Sequence, residues 1–148
     1  NCQILITNYQ YHKIMEAVAK MKNCPMSARK MRLVVELIRG KNVDEALDIL
    51  RYTKKEASTW LEKIVLSAVS NWENKLNFTE DADNFDLYIK EARSDQGPML
   101  KRFRPAPHGR AHRIRKHTNH ITIVVENRVP LNDEQIMEVE ETEEVEAE

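Results

Sequence analysis

The residues with the clearest chemical role are cations crowded into one segment of the chain. Between Gly97 and His120 there are seven Lys or Arg side chains, four His and no acidic residue. The seven are Lys101, Arg102, Arg104, Arg110, Arg113, Arg115 and Lys116. A solvated surface normally mixes both signs of charge, and the planar guanidinium group of Arg suits paired hydrogen bonds to phosphate and guanine. The segment therefore predicts a surface that binds a polyanion, for which nucleic acid is the obvious candidate.

The four histidines of this segment, His108, His112, His117 and His120, invite a zinc hypothesis. The neighbouring cations would repel a dication, and no Cys or carboxylate completes a tightly spaced ligand set. Imidazole rings that stack on RNA bases, or hydrogen-bond to them, are the favoured interpretation. The chain also has no G-x-S-x-G motif and no phosphate-cradling glycine loop. We therefore expect no metal, no cofactor and no enzymatic activity.

Apolar residues take alternate positions on both sides of the cationic segment, at Phe85, Leu87 and Ile89 and again at Ile121, Ile123 and Val125. This is the period of a half-buried strand. Pro105, Pro107 and Gly109 predict a turn between the two strands. Pairing Leu87 with Ile123 places that turn near Pro105. Two strands of about fifteen residues would extend about 45–50 Å, so the pattern predicts a hairpin over 85–125 that projects beyond the rest of the protein.

Three helices are predicted ahead of the hairpin. The first begins at an N-cap, Ser27, and closes at Gly40. The second covers about residues 43–52, and the third follows Thr53, which has capping-box spacing to Glu56. The apolar stripe of the third helix is Ala57, Trp60, Leu61, Ile64, Val65, Ala68 and Trp72. The two Trp rings could stack on bases, but their register with the apolar stripe favours a place in the core.

Cations occupy the start of the first helix, at Arg29, Lys30 and Arg32. There they oppose the helix dipole, at a cost of roughly a few tenths of a kcal/mol. Two interpretations remain open: a solvated basic face, or a phosphate contact where the cations and the helix N-terminus meet the same anion. Ahead of this helix, residues 16–22 alternate weakly and are predicted to form a strand at the edge of the hairpin's base.

Charge is distributed unevenly along the chain. The net charge is −1, yet residues 126–148 hold ten acids and one base, which leaves the other 125 residues with 22 Lys or Arg against 14 Asp or Glu. We expect residues 127–148 to be an acidic disordered tail and residues 1–14 to be an N-terminal extension. Cys2 and Cys24 form no disulfide framework, which suits a reducing cytosol. No apolar run approaches the length of a membrane span.

Six motifs, in order, resemble the family of large-subunit ribosomal protein L twenty-two of bacterial type. They are Ser27-Ala-Arg-Lys-Met-Arg-Leu-Val, Ile38-Arg-Gly, Glu45-Ala-Leu, Leu100-Lys-Arg-Phe-Arg-Pro, Gly109-Arg-Ala-His-Arg-Ile-Arg-Lys and His120-Ile-Thr-Ile-Val. The resemblance covers about residues 15–126. Several spaced motifs in one order are far more specific than any single motif. They imply an α+β fold in which three helices pack on a small antiparallel three-stranded sheet, from which a long β-hairpin protrudes.

The resemblance also implies a function: a structural constituent of the large ribosomal subunit that binds its rRNA, supports assembly and lines the peptide exit tunnel with the hairpin tip. The expected partners are large-subunit rRNA, neighbouring large-subunit proteins and the nascent polypeptide, with no membrane and no homo-oligomer. The expected location is the cytoplasm. The alternative is an autonomous architectural protein or RNA chaperone, whose acidic tail competes for its basic arm. An RNA-modifying enzyme is a third class, disfavoured by the missing motifs.

The resemblance assigns roles to individual residues of this chain. The expected RNA-binding residues are Arg29, Lys30, Arg32, Lys101, Arg102, Arg104, Arg110, Arg113, Arg115, Lys116, His117, Asn119 and His120. The expected tunnel-lining tip is Lys101, Arg102, Phe103, Arg104, Pro105, Ala106, Pro107, His108, Gly109 and Arg110. Two features depart from the family: the tip has Pro107 and His108 where relatives carry more charge, and His117 stands where a base is common.

Overall fold

The helical spacing of the apolar residues produces three helices in the computed structural model, which describes residues 14–76 and 85–129. These are α1 (Ala28–Ile38), α2 (Val43–Tyr52) and α3 (Glu56–Lys75). All three predicted helices are confirmed. Ser27 is the N-cap residue of α1, although its side chain makes no capping hydrogen bond. Gly40 follows α1 with φ of +73°, a left-handed conformation that glycine adopts without the steric cost of a Cβ atom.

The capping box predicted at Thr53 is wrong. The N-cap of α3 is Lys55, two residues further along, and it forms no side-chain cap. Thr53 belongs instead to the end of α2, where its hydroxyl donates to the carbonyl of Ile49 at 2.6 Å. The Ser58 hydroxyl donates to the carbonyls of Thr53 and Lys55 at 2.9 and 2.6 Å. In the short link between α2 and α3, the Thr53 hydroxyl therefore caps the end of α2 and is not available to cap the start of α3.

Three antiparallel strands form one sheet in the order β1-β3-β2. They are β1 (Glu16–Cys24), β2 (Leu87–Pro105) and β3 (Ala111–Asn127). The predicted α+β fold and the edge position of the first strand are confirmed. β2 and β3 remain paired from Leu87 opposite Asn127 to Pro105 opposite Ala111, which makes the long hairpin. The central strand of the base is thus β3, which continues into the hairpin.

The predicted register of the hairpin is wrong. Ile123 lies opposite Ala92, and Leu87 lies opposite Asn127, so the turn falls at residues 106–110. Two irregularities interrupt the pairing, between Ile89 and Glu91 and between Gln96 and Met99, and each adds a residue to β2. The first of these bulges lets both Ile89 and Ala92 face the core, which strict alternation forbids.

The core lies between the helices and one face of the sheet. Val65 and Trp72 of α3 have no exposed surface, and the Trp72 ring packs against Phe85 with 5.0 Å between ring centroids. Trp60 is only partly buried against this core, and the ammonium group of Lys63 lies 5.9 Å from the centre of its ring. The core assignment is therefore confirmed for Trp72 and holds in part for Trp60. Most of the predicted extension, most of the acidic tail and most of the link before Phe85 lie outside the described residues.

Candidate nucleic-acid interface

The site is the outer part of the hairpin, residues 97–120, here called the arm. The cross-strand pairing of β2 and β3 sets its geometry as far as Pro105 and Ala111. All seven Lys and Arg side chains of the arm are exposed. Within residues 14–76 and 85–129, none of the seven forms an ion pair with a carboxylate. The arm thus presents charge that the described part of the protein leaves uncompensated.

The register distributes these cations over both faces of the arm. Residues directly opposite each other share a face, so one face carries Lys101, Arg115 and Arg113 with Phe103 and His117. The other face carries Arg102, Arg104 and Lys116 with Leu100, Ile114 and His112. Each face therefore holds three cations, and Arg110 adds a seventh in the turn. A partner that neutralises the arm must contact it from both sides.

Like charges face each other across the arm. Lys101 lies directly opposite Arg115, and this pair continues the cationic face that includes Arg113. Such juxtaposed like charges destabilise a strand pair in water, and no apolar alternation supports this part of the hairpin. Anions between the side chains would remove the repulsion. Bound anions would therefore stabilise this part of the hairpin.

A tight turn closes the arm. Pro107–Gly109 forms a single 3-10 turn, and the N–H of Ala106 donates to the carbonyl of Arg110 at 2.8 Å. His108 and Gly109 both have positive φ, of 61° and 70°. His is one of the few residues other than glycine that tolerates this region. The tip keeps Phe103 70% exposed, which leaves an aromatic ring free for contact.

A bulge joins the arm to its base. Gly97 and Pro98 form it, and the hydroxyl of Thr118 donates to the carbonyl of Pro98 at 2.6 Å. A Cβ atom on Gly97 would lie 2.6 Å from that hydroxyl oxygen, so only glycine fits there. Pro98 is accommodated because β2 is an edge strand and the bulge needs no ladder hydrogen bond from it. These residues set the direction in which the arm leaves the domain.

The first helix is tied to the hairpin by arginines. The Arg32 Nε donates to the carbonyl of Ser94 at 3.1 Å. Arg39, which sequence reasoning missed, donates from Nε and Nη2 to the carbonyl of Ala92 at 3.2 and 2.8 Å. Arg29 and Lys30 are exposed in the first turn of α1. Within the described parts of the chain, the predicted basic site on α1 therefore consists of two exposed cations beside one cation that hydrogen-bonds to β2.

Two predicted RNA-binding residues lie away from the surface that the arm offers. Asn119 has no exposed surface and sits between Cys24 and Gln96, so it cannot touch RNA in this conformation. The predicted RNA contact of Asn119, which came from the family resemblance, does not fit this burial. His120 is half-buried, and its Nδ1 accepts the N–H of Asn23 at 3.1 Å. His120 therefore fastens β1 to β3.

A hydrogen-bonded network fixes the base on the sheet face opposite the helices. The Tyr88 hydroxyl donates to the carboxylate of Glu126 at 2.6 Å, and this hydrogen bond raises the pKa of Tyr88. Lys90 contacts Glu16 and Glu126, and the hydrogen bond to Glu16 raises the pKa of Lys90. The Arg128 guanidinium lies 5.0 Å from the centre of the Tyr88 ring. These contacts join all three strands beneath the arm.

Two further chemistries can be examined in the described residues. Among residues 14–76 and 85–129, no three His, Cys, Asp or Glu side chains lie close enough to hold a metal ion. In the same residues, no helix is both long enough and apolar enough to cross a membrane. The histidines are spread along the arm: His112 lies opposite Arg104, and His117 lies opposite Met99.

The described residues form a helical domain that projects a hairpin with exposed cations on both faces. Comparison with known proteins identifies the family. The sequence profile of the family described as Ribosomal protein L22p/L17e matches residues 19–126. This chain belongs to that family, as its six motifs predicted. Membership makes it a structural, non-enzymatic protein of the large ribosomal subunit, and therefore a cytoplasmic one.

The curated relatives agree over most of the chain. The large ribosomal subunit protein uL22 of Flavobacterium johnsoniae is 59% identical over 109 residues, which cover 74% of this chain and 79% of that protein. The protein of the same name from Clostridium novyi is 53% identical over 114 residues, covering 77% of this chain and 99% of its own length. The Bacteroides fragilis protein is 46% identical over 110 residues, covering 74% and 79%.

Proposed function

We propose that this protein binds large-subunit rRNA through both faces of the arm. The observation that carries the proposal is the exposure of all seven arm cations, with no carboxylate paired to them in the described residues. Each Lys or Arg that meets a phosphate releases condensed counterions, which favours binding. Because the cations occupy both faces, the arm fits between rRNA segments and does not lie on one of them. Such a site recognises backbone and shape more than base sequence.

The first turn of α1 extends this interface onto the domain. Arg32 holds Ser94 at the base of the hairpin, so α1 is positioned against β2 and its exposed neighbours Arg29 and Lys30 share that position. Cations beside the free N–H groups of a helix N-terminus form a phosphate site. We infer that one rRNA phosphate binds there while the arm holds others, which would let a single protein fix two parts of the rRNA during assembly.

The tip, residues 101–110, is proposed to line the peptide exit tunnel. Nine residues of β2 from Gly97 to Pro105 span about 30 Å at ~3.3 Å per residue, which carries the turn well away from the helices. The turn presents Arg104, Arg110 and the exposed ring of Phe103, so both charge and an apolar surface would meet a nascent polypeptide. The helical domain, which stays outside, would contact neighbouring large-subunit proteins. One copy per subunit suffices, so we propose no homo-oligomer and treat residues 15–126 as the working unit.

Photo-cross-linking tests this proposal at the tip. A benzophenone amino acid at Phe103 should cross-link to large-subunit rRNA, and to the nascent chain in translating ribosomes. The matched control places the same group at Tyr52, an aromatic residue of the helical domain that is 86% exposed. Tyr52 should give no cross-link to the nascent chain. If Phe103 cross-links to neither rRNA nor the nascent chain, the arm does not enter the subunit and the proposed function fails.

A further inference from the structure

The strongest negative charge in the chain lies in residues 130–148, here called the acidic segment. It holds nine Asp or Glu and no Lys, Arg or His, whereas the arm holds seven Lys or Arg and no acid. The arm's cations are exposed on both faces and are not paired with any described carboxylate. A polyanion that matches the arm is therefore already present on the same chain.

The point at which the acidic segment begins is fixed by hydrogen bonds. The N–H groups of Arg128 and Val129 both approach the carbonyl of Phe85, at 3.3 and 3.4 Å, so the segment starts at the base end of the sheet. From Asn127 back to Lys116, β3 covers about 36 Å at ~3.3 Å per residue. A polypeptide spans at most about 3.6 Å per residue. Residues from about 138 onward can therefore reach Lys116, but Asp133 and Glu134 cannot.

We propose that the far half of the acidic segment, residues 140–148, binds the arm of its own chain before rRNA does, and that rRNA displaces it. The proposal rests on the arm being the rRNA-binding site. Six carboxylates lie in this half, at Glu140, Glu141, Glu143, Glu144, Glu146 and Glu148. Carboxylates accept paired hydrogen bonds from Arg much as phosphates do. Because these carboxylates and the arm belong to one chain, the carboxylates are present at a high effective concentration near the arm.

The contact would shield the arm from unspecific polyanions while leaving specific assembly possible. A site that is open only one tenth of the time binds its ligand about tenfold more weakly. That cost weighs most on ligands that meet few cations, whereas rRNA that surrounds both faces of the arm can displace the segment. The competition is ionic, so salt screens it over a Debye length of about 8–10 Å. The shielding should therefore be largest at low salt.

Two matched variants of the full chain test the contact. The far variant is E143Q/E144Q, and the near variant is D133N/E134Q; both remove two charges, but only the far acids reach the arm. Binding to protein-free large-subunit rRNA is measured across a salt series. The far variant should bind several-fold more tightly than wild type at low salt, with the gain shrinking as salt rises, and the near variant should change little. Equal gains in both variants would indicate long-range repulsion and overturn the contact.

Zero-length carbodiimide cross-linking without RNA keeps this inference separable from the proposed function. Far-half glutamates should cross-link to Lys101 or Lys116, and added rRNA should abolish those products. Lys63, exposed on α3, is the control lysine and should give none. A mixture of isotopically labelled and unlabelled protein shows whether both partners come from one chain; products that join two copies, or no arm products at all, overturn the inference. Arm products combined with no rRNA binding by any variant would instead overturn the proposed function.

Discussion

Replacing Arg113 and Arg115 by Ala tests the ionic character of the interface. Both side chains are exposed and share one face of the arm, where they lie opposite Phe103 and Lys101. Neither residue packs in the core, so folding should be unaffected. The double substitution should therefore weaken rRNA binding about uniformly across RNA sequences, because phosphate contacts carry little sequence information.

The size of the effect follows from counterion release. Each lost phosphate contact lowers the slope of log affinity against log salt by roughly 0.7–0.9. Between about 50 and about 200 mM salt, one such contact changes affinity roughly threefold, so two contacts change it roughly tenfold. When salt rises over that range, the affinity of the double variant should thus fall about tenfold less than the affinity of the parent chain. The substitution also removes the repulsion between Lys101 and Arg115, which should offset only a small part of the affinity that the two lost contacts cost.

The assay is a filter-binding or fluorescence titration with large-subunit rRNA at several salt concentrations. The control is K54A/K63A, which removes two exposed cations from the helical domain and should leave the slope near that of the parent. Matching thermal melting curves for all three proteins show that the fold is intact. An unchanged slope for the Arg113 and Arg115 variant would refute their phosphate role. An equal drop for the control would show that net charge, and not the arm, sets the affinity.

Three further predictions concern the core, the tip and the buried thiol. Val65→Asp places an unpaired charge at a site with no exposure. The substitution should cost several kcal/mol, which is large beside a total stability of ~5–15 kcal/mol, so the domain should unfold. Cooperative melting at the parental temperature would show that the core assignment is wrong. Deleting residues 100–102 shortens β2 by three residues and displaces the turn. The shortened protein should still assemble into ribosomes, but those ribosomes should show an altered macrolide response or altered nascent-chain stalling. Failed assembly would contradict the division of roles between the tip and the helical domain. Burial, followed by the nearby Glu56 carboxylate, raises the pKa of Cys24 above 9.0. Near neutral pH, the Cys24 thiol should therefore be alkylated far more slowly in the native protein than in the denatured protein. As the pH rises past about 9, the thiol of the unfolded chain should ionise first, which lowers the stability of the fold. Equal alkylation rates in the two states would contradict the burial of Cys24.

The helices could be predicted because their cause is local. The apolar spacing of α3 fixes which side faces the core, and the structure buries Leu61, Val65 and Trp72 along that side. Gly40 could be predicted for the same reason, since the end of α1 needs a left-handed residue. The capping box at Thr53 failed because two helix ends compete for one hydroxyl, and the sequence does not show which end obtains it.

The hairpin register could not be predicted because it depends on contacts distant in sequence. Alternation alone assumes an uninterrupted ladder, whereas the bulges after Ile89 and Gln96 each shift the partner of every later residue. Gly97 was a signal for the second bulge, since glycine inside a strand often marks one. The first bulge has no such signal: it arises because Ile89 and Ala92 are both buried against the helices.

In the candidate site, too, the residues that depend on local sequence could be predicted and those that depend on distant contacts could not. The cations of the arm could be identified from composition, because an acid-free segment with seven Lys or Arg is exposed wherever it folds. The residues at the junction could not, since their partners come from other elements. Arg32 and Arg39 donate to carbonyls of β2, and His120 accepts from the backbone of β1. Asn119 looks like its polar neighbours in sequence, but it lies on the central strand between Cys24 and Gln96 and is fully buried.

The most direct test of the central claim is sedimentation of the full chain with ribosomes from the same cells. Large subunits are separated on a sucrose gradient after a high-salt wash, and the protein is quantified in each fraction. A protein held by rRNA on both faces of its arm should remain with the large subunit at one copy per particle. Release into the light fractions after the wash, with none in the large-subunit peak, would contradict the account and indicate an autonomous RNA-binding protein.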